Sequence, residues 1–486
     1  MALEQHGSSS TPELPTRPPS LAPTNEPGGT PPRSGWASLR AGLPRNGATV
    51  LVFVALALLI ARTNELILGR DWRLRPASSQ VISGDEPHYL LVIHSLLFDR
   101  DLQLKDDYVR IARGGLAAGR HFRGFPLDHH TLVFDPATGQ TRFWHEVFDW
   151  GAALRVGGRQ VGYLPRDPRS PPSPNYEETP SHPVAYPALV ALLLAPFSPS
   201  PVDLELAVNR VQQLFCWLGA LAVYLTGRRA GFSRLQAESA AVLLVLASPW
   251  LAYSRSFFSE PAIALMLTLG LWALQSGRPV AASLAVSLAM AIKPPFVLFG
   301  AAWILLRLIA RRWGEALRLA VGMGTCGLLL LAFNRWQFHV WLVSGSSHWA
   351  WASGLSGLWS TLLHPAYGLL VFVPWTLLAL GGLLGRRAPD GGHSSLTRDM
   401  GLPLALYLGV LSAMAYNGSA CYGPRYWVAV MPWLALAAIE CARRWGRPVR
   451  WALGLTALAA VLICAPGALR YGLLWDTPAS QGWPRG

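Results

Sequence analysis

Long apolar runs separated by short, arginine-bearing breaks dominate the chain. The first run, Ala48 to Ala61, extends to about Leu68. Ten more follow, at about 206 to 226, 236 to 254, 260 to 275, 279 to 292, 294 to 310, 317 to 338, 366 to 385, 401 to 417, 425 to 442 and 451 to 470. A bilayer needs about 20 apolar residues per helix. The pattern therefore predicts an all-α polytopic membrane protein with about eleven transmembrane helices, the first run plus these ten. The runs 279 to 292 and 294 to 310 fall short of that length and meet at Lys293-Pro294-Pro295, which predicts a broken or partly re-entrant pair.

Between the first and second runs, about 69 to 205, acids and bases are roughly balanced over a stretch too long for a structureless loop. A folded outer loop is expected there, with juxtamembrane helices and a small β-hairpin insert. Thr131 to Phe134 and Thr141 to Trp144 alternate in polarity around Asp135-Pro136-Ala137-Thr138-Gly139, the signature of that hairpin. The Pro-rich stretch 167 to 183 is expected to be irregular. Val184 to Phe197, about 14 residues with Pro187 inside, is too short to span and is expected to lie along the interface. Residues 1 to 46, rich in Pro, Ser, Gly and Thr, are expected to form a disordered cytoplasmic tail, and 471 to 486 a short outer tail. Arg62 after the first run, without a small-residue cleavage site, predicts an uncleaved anchor.

Composition points the same way. Of 486 residues 51% are hydrophobic and 14% charged, with mean hydropathy +0.29, whereas a soluble domain carries about 25% charged residues. The net charge of +14 would suit nucleic acid if it lay along one face. It lies instead in short groups between apolar runs, so the positive-inside rule explains it and no nucleic acid is expected. Placing Arg228/Arg229/Arg234, Arg311/Arg312/Arg318, Arg386/Arg387/Arg398 and Arg443/Arg444/Arg447/Arg450 inside gives a cytoplasmic N-terminus in the cytoplasmic (inner) membrane of a cell envelope. Four of the five cysteines fall inside apolar runs with no CxxC or Cys/His spacing, so no disulfide framework or zinc site is expected.

The same topology leaves Arg255, Lys293, Arg335 and Arg425 at the outer surface, where the rule does not explain them. It puts Asp85 and Glu86 there too, in Ser83-Gly84-Asp85-Glu86-Pro87-His88-Tyr89-Leu90, together with Glu260 and His364. Desolvating a charge costs several kcal/mol, so acids beside a membrane are solvated, paired or kept for chemistry. Cations and carboxylates on one surface suit a lipid-linked phosphate: the cations neutralise it while a carboxylate deprotonates or orients a nucleophile. Plainer readings stand beside this one. Asp85-Glu86-Pro87 and Ser259-Glu260-Pro261 fit helix starts, and Arg255 and Arg335 fit snorkelling to headgroups. Gly322 to Gly327 matches GxGxxG but sits inside an apolar run with no preceding strand, which reads as close helix packing. Asp99-Arg100-Asp101 has the form of the DxD of soluble metal-dependent glycosyltransferases, yet that reading needs an α/β nucleotide-binding domain absent from this pattern. Trp336, Trp341, Trp349, Trp351 and Trp359 read as an interfacial belt or as one wall of a lipid groove.

These residues resemble the GT-C superfamily of polytopic glycosyltransferases, which includes the protein O-mannosyltransferases and the lipid A aminoarabinose transferase. Gly84-Asp85-Glu86-Pro87-His88-Tyr89 is similar to the acidic motif of that family's first outer loop. His182-Pro183 with Tyr186-Pro187 is similar to its His-Pro-Pro-Leu segment, although the tetrapeptide here is His-Pro-Val-Ala. Asn209-Arg210, Ser256 to Pro261, Lys293-Pro294, Tyr367-Gly368 and Gly423-Pro424-Arg425-Tyr426 follow in the family's order, so the resemblance makes 47 to 470 a GT-C-like transmembrane domain. It implies a polyprenyl-phosphate sugar donor, a lipid, glycan or protein acceptor, and transfer at the outer face. Asp85 would be the catalytic base in an inverting transfer, with Glu86 beside it. Glu86, Glu260 and His182 would orient the acceptor or hold a metal, and Lys293, Arg425, Arg255 and Tyr426 would bind the donor phosphate. With no dense ligand cluster in the sequence, no cofactor is required, and a divalent cation stays an open alternative. The rival expectation is a transporter or flippase for a lipid-linked or anionic solute, which also uses broken helices and outward charges.

Overall fold

Apolar segments within a bilayer satisfy their backbone hydrogen bonds internally as helices, and helices dominate this structure. The computed structural model describes residues 47–68, 85–112, 131–156, 159–169, 171–201, 203–343, 354–384, 395–414 and 422–475. The expected N-terminal tail, Ser83, Gly84, Trp349, Trp351, Arg386 and Arg387 lie outside the described residues. The main helices are α1 (Gly47–Leu68), α2 (Glu86–His94), α3 (Lys105–Ala112), α4 (Ala185–Leu194), α5 (Leu204–Arg229), α6 (Arg234–Leu246) and α7 (Glu260–Gln275). They continue as α8 (Pro279–Ile292), α9 (Val297–Ile309), α10 (Trp313–Phe338), α11 (Gly354–Leu363), α12 (Thr376–Leu384), α13 (Ser395–Ala413), α14 (Met431–Trp445) and α15 (Arg447–Trp475). Because α15 runs to Trp475, the expected outer tail starts as helix.

Among the described residues, three helices are long and apolar enough to cross a membrane: α5, α10 and the Arg447–Ala468 part of α15. Leu328 and Leu329 on α10 and Leu455 and Leu462 on α15 are exposed, as suits a surface that meets lipid rather than water. Several other expected spans are interrupted, and proline is the common cause, since it donates no hydrogen bond and restrains the residue before it. The run 236 to 254 becomes α6, a break at Pro249 and a one-turn helix Trp250–Tyr253. The run 366 to 385 is divided at Pro374, and 425 to 442 becomes a one-turn helix Arg425–Val428 followed by α14, with Pro432 in its first turn. Lys293 is extended, with φ −143° and ψ 113°, between α8 and the 3₁₀ turn Pro294–Phe296. Gly322 packs directly on Ser283 of α8, whereas a side chain at Gly324 would meet open space, so one glycine of the GxGxxG accounts for the close contact.

Among the described residues the long loop carries five strands, β1 (Thr131–Asp135), β2 (Gln140–Phe143), β3 (Phe148–Val156), β4 (Arg159–Pro165) and β5 (Glu177–Pro180). β1 pairs antiparallel with β2 around the Asp135–Gly139 turn, and with β5 on its other edge. Two expectations need correction. Trp144 belongs to a one-turn helix, Trp144–Val147, where its ring is buried with Val133 and Phe148. The Pro-rich stretch is not wholly irregular, because β5 forms within it. β5 delivers His182 toward α2, and its Glu178 carbonyl accepts a 2.8 Å bond from Leu104 N–H just ahead of α3.

Two groups of polar contacts stand at opposite ends of α7, whose 16 residues span about 24 Å at 1.5 Å per residue. At the Gln275 end, Arg229 donates to the Gln275 carbonyl at 3.0 Å and Gln275 to Asp399 at 2.6 Å. Arg307 grips Asp399 with two bonds of 2.8 and 3.0 Å. Glu260 and its partners occupy the other end.

Removing one partner of a fully buried ion pair strands the other charge. Arg307 and Asp399 are 2% and 1% exposed, and Glu315 lies 3.2 Å from Arg307 Nε as a partial substitute partner, so Asp399→Ala is expected to destabilise the protein toward the lower end of about 3–5 kcal/mol. Arg398→Ala, at a half-exposed neighbour, should cost less than about 1 kcal/mol. Thermal unfolding of the two variants in detergent checks the difference.

Candidate functional site

Asp85 is the N-cap of α2 and Glu260 the first residue of α7, each followed closely by a proline. An acid is favoured at a helix N-terminus, where the dipole is positive, and proline fits the first turn. Helix starting and site building therefore use the same residues. Arg425 opens its one-turn helix after Gly423, whose φ of 58° is left-handed. A side chain at Gly423 would also press on the Phe372 ring. Lys293 stands alone in the break between α8 and α9.

These four charges meet. Arg425 pairs through Nη2 with Asp85 Oδ2 and donates from Nε to Glu260 Oε1 at 2.9 Å. Lys293 Nζ donates to the same Glu260 oxygen at 2.6 Å. The Arg425 guanidinium lies 3.9 Å from the centroid of the Phe258 ring, and Lys293 Nζ lies 5.3 Å from that of Tyr426. His182 Nε2 stands 3.8 Å from Asp85 Oδ1, too far for a hydrogen bond but facing it. Glu260 is 1% exposed, Asp85 14% and Lys293 18%. Two carboxylates and two cations give a cluster that is neutral overall. Each charge is desolvated, and pairing offsets a cost of several kcal/mol per ion. The Oε2 oxygen of Glu260 is buried without a hydrogen-bond partner. A narrow cleft lined by His88, Tyr89, Pro180, His182 and Pro187 opens beside the cluster.

The site thus gathers Asp85, Glu260, Lys293, Arg425, Tyr426 and His182 from segments far apart in the chain. The other expected members are placed differently. Glu86 is fully buried and accepts a 2.8 Å bond from the Phe257 N–H, which ties α2 to the turn ahead of α7. Arg255 donates to the Ala468 carbonyl on α15 at 2.8 Å. Arg335 donates to the His339 carbonyl and His364 stacks on Tyr367, with ring centroids 3.7 Å apart. Two contributors escaped the sequence analysis. Phe258 supplies the face on which Arg425 lies, and Gln212 of α5 donates to the Tyr253 and Phe258 carbonyls at 3.2 and 2.8 Å, holding that turn in place. Neither carries a sequence signal, because an apolar ring and a glutamine in an apolar helix look like packing.

A second polar cluster lies at the far end of α2. His94 Nδ1 stands 3.8 Å from Asp99 Oδ2 and 3.7 Å from Asp107 Oδ1. Asp107 is fully buried, and burial, reinforced by Asp99 and Asp106, pushes its carboxyl up to about 8. Burial also lowers the His94 imidazole below its ordinary value.

No protein-family model, curated protein or solved structure matches this chain.

Arg425 bridges Asp85 and Glu260, so its loss removes a cation from two desolvated acids, of which Glu260 keeps Lys293 and Asp85 faces His182. Arg425→Met is expected to destabilise the protein by about 3–5 kcal/mol. Adding Glu260→Gln should restore part of that stability. A double-mutant cycle on unfolding in detergent reads the coupling; strictly additive losses would mean the bridge carries no energy.

Proposed function

We propose that the chain is a glycosyltransferase of the GT-C type that moves a sugar from a polyprenyl-phosphate donor to an acceptor hydroxyl at the outer surface of the cell membrane. The observation that carries this reading is the convergence of Asp85, Arg425 and Lys293 at one set of helix ends. One carboxylate and two cations held together in this way support a phosphate-bearing substrate. The full topology of about eleven spans with a cytoplasmic N-terminus belongs to the same proposal. Its support is that Arg229 and Arg307 gather at the Gln275 end of α7, away from Asp85.

In the proposed reaction Asp85 accepts the proton of the acceptor hydroxyl while that oxygen attacks the anomeric carbon. The bond from this carbon to the phosphate oxygen breaks from the opposite face, giving inversion, and polyprenyl phosphate departs with the electron pair. Arg425 and Lys293 neutralise the charge that grows on the phosphate. Arg425 pairs with Asp85, so that carboxylate is engaged by a cation. A phosphate that draws Arg425 away would free the Asp85 carboxylate to face the acceptor hydroxyl, so donor binding and base release are coupled. Glu260 acts by holding Arg425 and Lys293 together, and His182 flanks Asp85 on the acceptor side. Glu86, turned to Phe257, positions α2 rather than reacting. Arg255, engaged at Ala468, supports the turn ahead of α7.

The extended break at Lys293 also suits the rival class, a flippase or transporter, since such proteins place discontinuous helices at their substrate sites. Membranes carrying the wild type and supplied with a panel of labelled polyprenyl-phosphate sugars separate the two. Label moving between leaflets without a new glycosidic bond favours transport.

Asp85→Asn is expected to lower kcat by roughly 10²- to 10⁴-fold, the range for a lost general base. Lys293→Met should raise the donor KM by roughly 10- to 100-fold, as for a lost charged hydrogen bond of about 1.5–3 kcal/mol. Wild-type transfer by Asp85→Asn excludes the base role, and an unchanged donor KM in Lys293→Met excludes the phosphate contact.

A further inference from the structure

The cluster at the far end of α2 is built differently from an ordinary surface group of acids. His94 ends α2, and Asp99 follows five residues later. In a regular α-helix a residue five positions on lies about 140° around the axis, away from its partner. Here Ser95–Asp99 form a π-helical turn, closed by a 2.7 Å bond from Arg100 N–H to the Ser95 carbonyl, and this brings Asp99 beside His94. Such widened turns recur at functional sites. Arg100 then takes a left-handed φ of 65°, a conformation disfavoured for a side chain this large.

The third member arrives from α3. Asp107 is 0% exposed and neither of its oxygens has a hydrogen-bond partner; His94, 3% exposed, has none at Nδ1, and Asp99 none at Oδ2. Buried polar atoms almost always find hydrogen-bond partners, and these atoms, which have none, face one another. The donors all lie within 4.8 Å of one another, with His94 Nδ1 at 3.7 and 3.8 Å from the two carboxylate oxygens. Ligands held at about 2.1 Å around a tetrahedral ion stand about 3.4 Å apart, so a small carboxylate rotation closes the gap. Arg110 holds the other Asp99 oxygen at 3.0 Å, pairs with Asp106 and stands 3.7 Å from Asp107 Oδ1, orienting the acids from one side. One arginine facing Asp99, Asp106 and Asp107 leaves a negative excess that a dication would cancel.

We propose that His94, Asp99 and Asp107 bind a first-row divalent cation, of the Zn²⁺ or Mn²⁺ class, that fastens the end of α2 to α3. One imidazole with two carboxylates suits these ions, whereas Ca²⁺ prefers six to eight oxygens and Mg²⁺ near-octahedral oxygen coordination. The nine residues of α2 put the ion about 14 Å from Asp85. It therefore touches no reacting atom and acts as a clamp on the helix whose other end carries Asp85.

The test uses the full-length protein in detergent, purified with a histidine-free tag and stripped with EDTA. Titration with Zn²⁺ by calorimetry and with Mn²⁺ by electron paramagnetic resonance should show one equivalent bound, nitrogen coupling to the bound Mn²⁺, and a melting temperature raised by several degrees. His94→Gln should abolish the nitrogen coupling and weaken binding at least tenfold, and Asp107→Asn should weaken it similarly. Asp107→Asn stays neutral where it is buried, so it keeps the test open if His94→Gln does not fold. Glu260→Gln should bind the cation like the wild type. The proposal is overturned if the wild type neither binds nor is stabilised by either cation, which would leave Asp99 and Asp107 as a proton-sharing pair only. It is equally overturned if His94→Gln and Asp107→Asn bind normally while Glu260→Gln does not, because the ion would then belong to the Asp85 cluster. None of these readouts depends on sugar transfer.

Discussion

Arg425 carries the arrangement on which the site depends. Its guanidinium bridges the acid that begins α2 and the acid that begins α7, while Lys293 holds the second acid from the break between α8 and α9. A planar cation with several donors in fixed directions can serve two carboxylates at once, which a lysine at the same place would not do. The Phe258 ring beneath the guanidinium limits its orientation further. Four charges that would each be costly alone are thus retained together in a neutral group.

Prolines make this meeting of helix ends possible. Pro87 and Pro261 follow the two acids, Pro294 and Pro295 follow Lys293, and Pro424 precedes Arg425. Each restricts how the chain enters a helix, so each charge lies at a terminus rather than within an uninterrupted span. The same breaks shorten the helices. Only α5, α10 and α15 among the described residues keep a long apolar stretch, and the shorter helices near the site supply buried side chains such as Tyr186 and Tyr253.

Much of this was legible in the sequence, for physical reasons that differ from residue to residue. The apolar runs carry their own helical signal, and alternation around a Pro/Gly turn does the same for β1 and β2. Asp85, Glu260, Lys293 and Arg425 stood out because neither hydropathy nor the distribution of arginines explained them. Their pairing was not legible, since it joins residues up to 340 positions apart. Glu86 looked equivalent to Asp85, but in a helix adjacent residues point about 100° apart, and only the fold shows that Glu86 reaches the Phe257 backbone. The role of Asp99 was hidden for a different reason. The eye pairs it with Asp101, whereas a π-helical turn pairs it with His94, and no local pattern announces that turn.

The central claim is that a lipid-linked phosphate is received by Arg425 and Lys293 and thereby releases Asp85. A structure determined with a polyprenyl phosphonate analogue of the donor tests it most directly. Phosphonate oxygens within hydrogen-bond distance of Arg425 and Lys293, with Asp85 no longer paired to Arg425, is the expected result. Phosphonate bound elsewhere, with the Asp85–Arg425–Glu260 bridge intact, would contradict it.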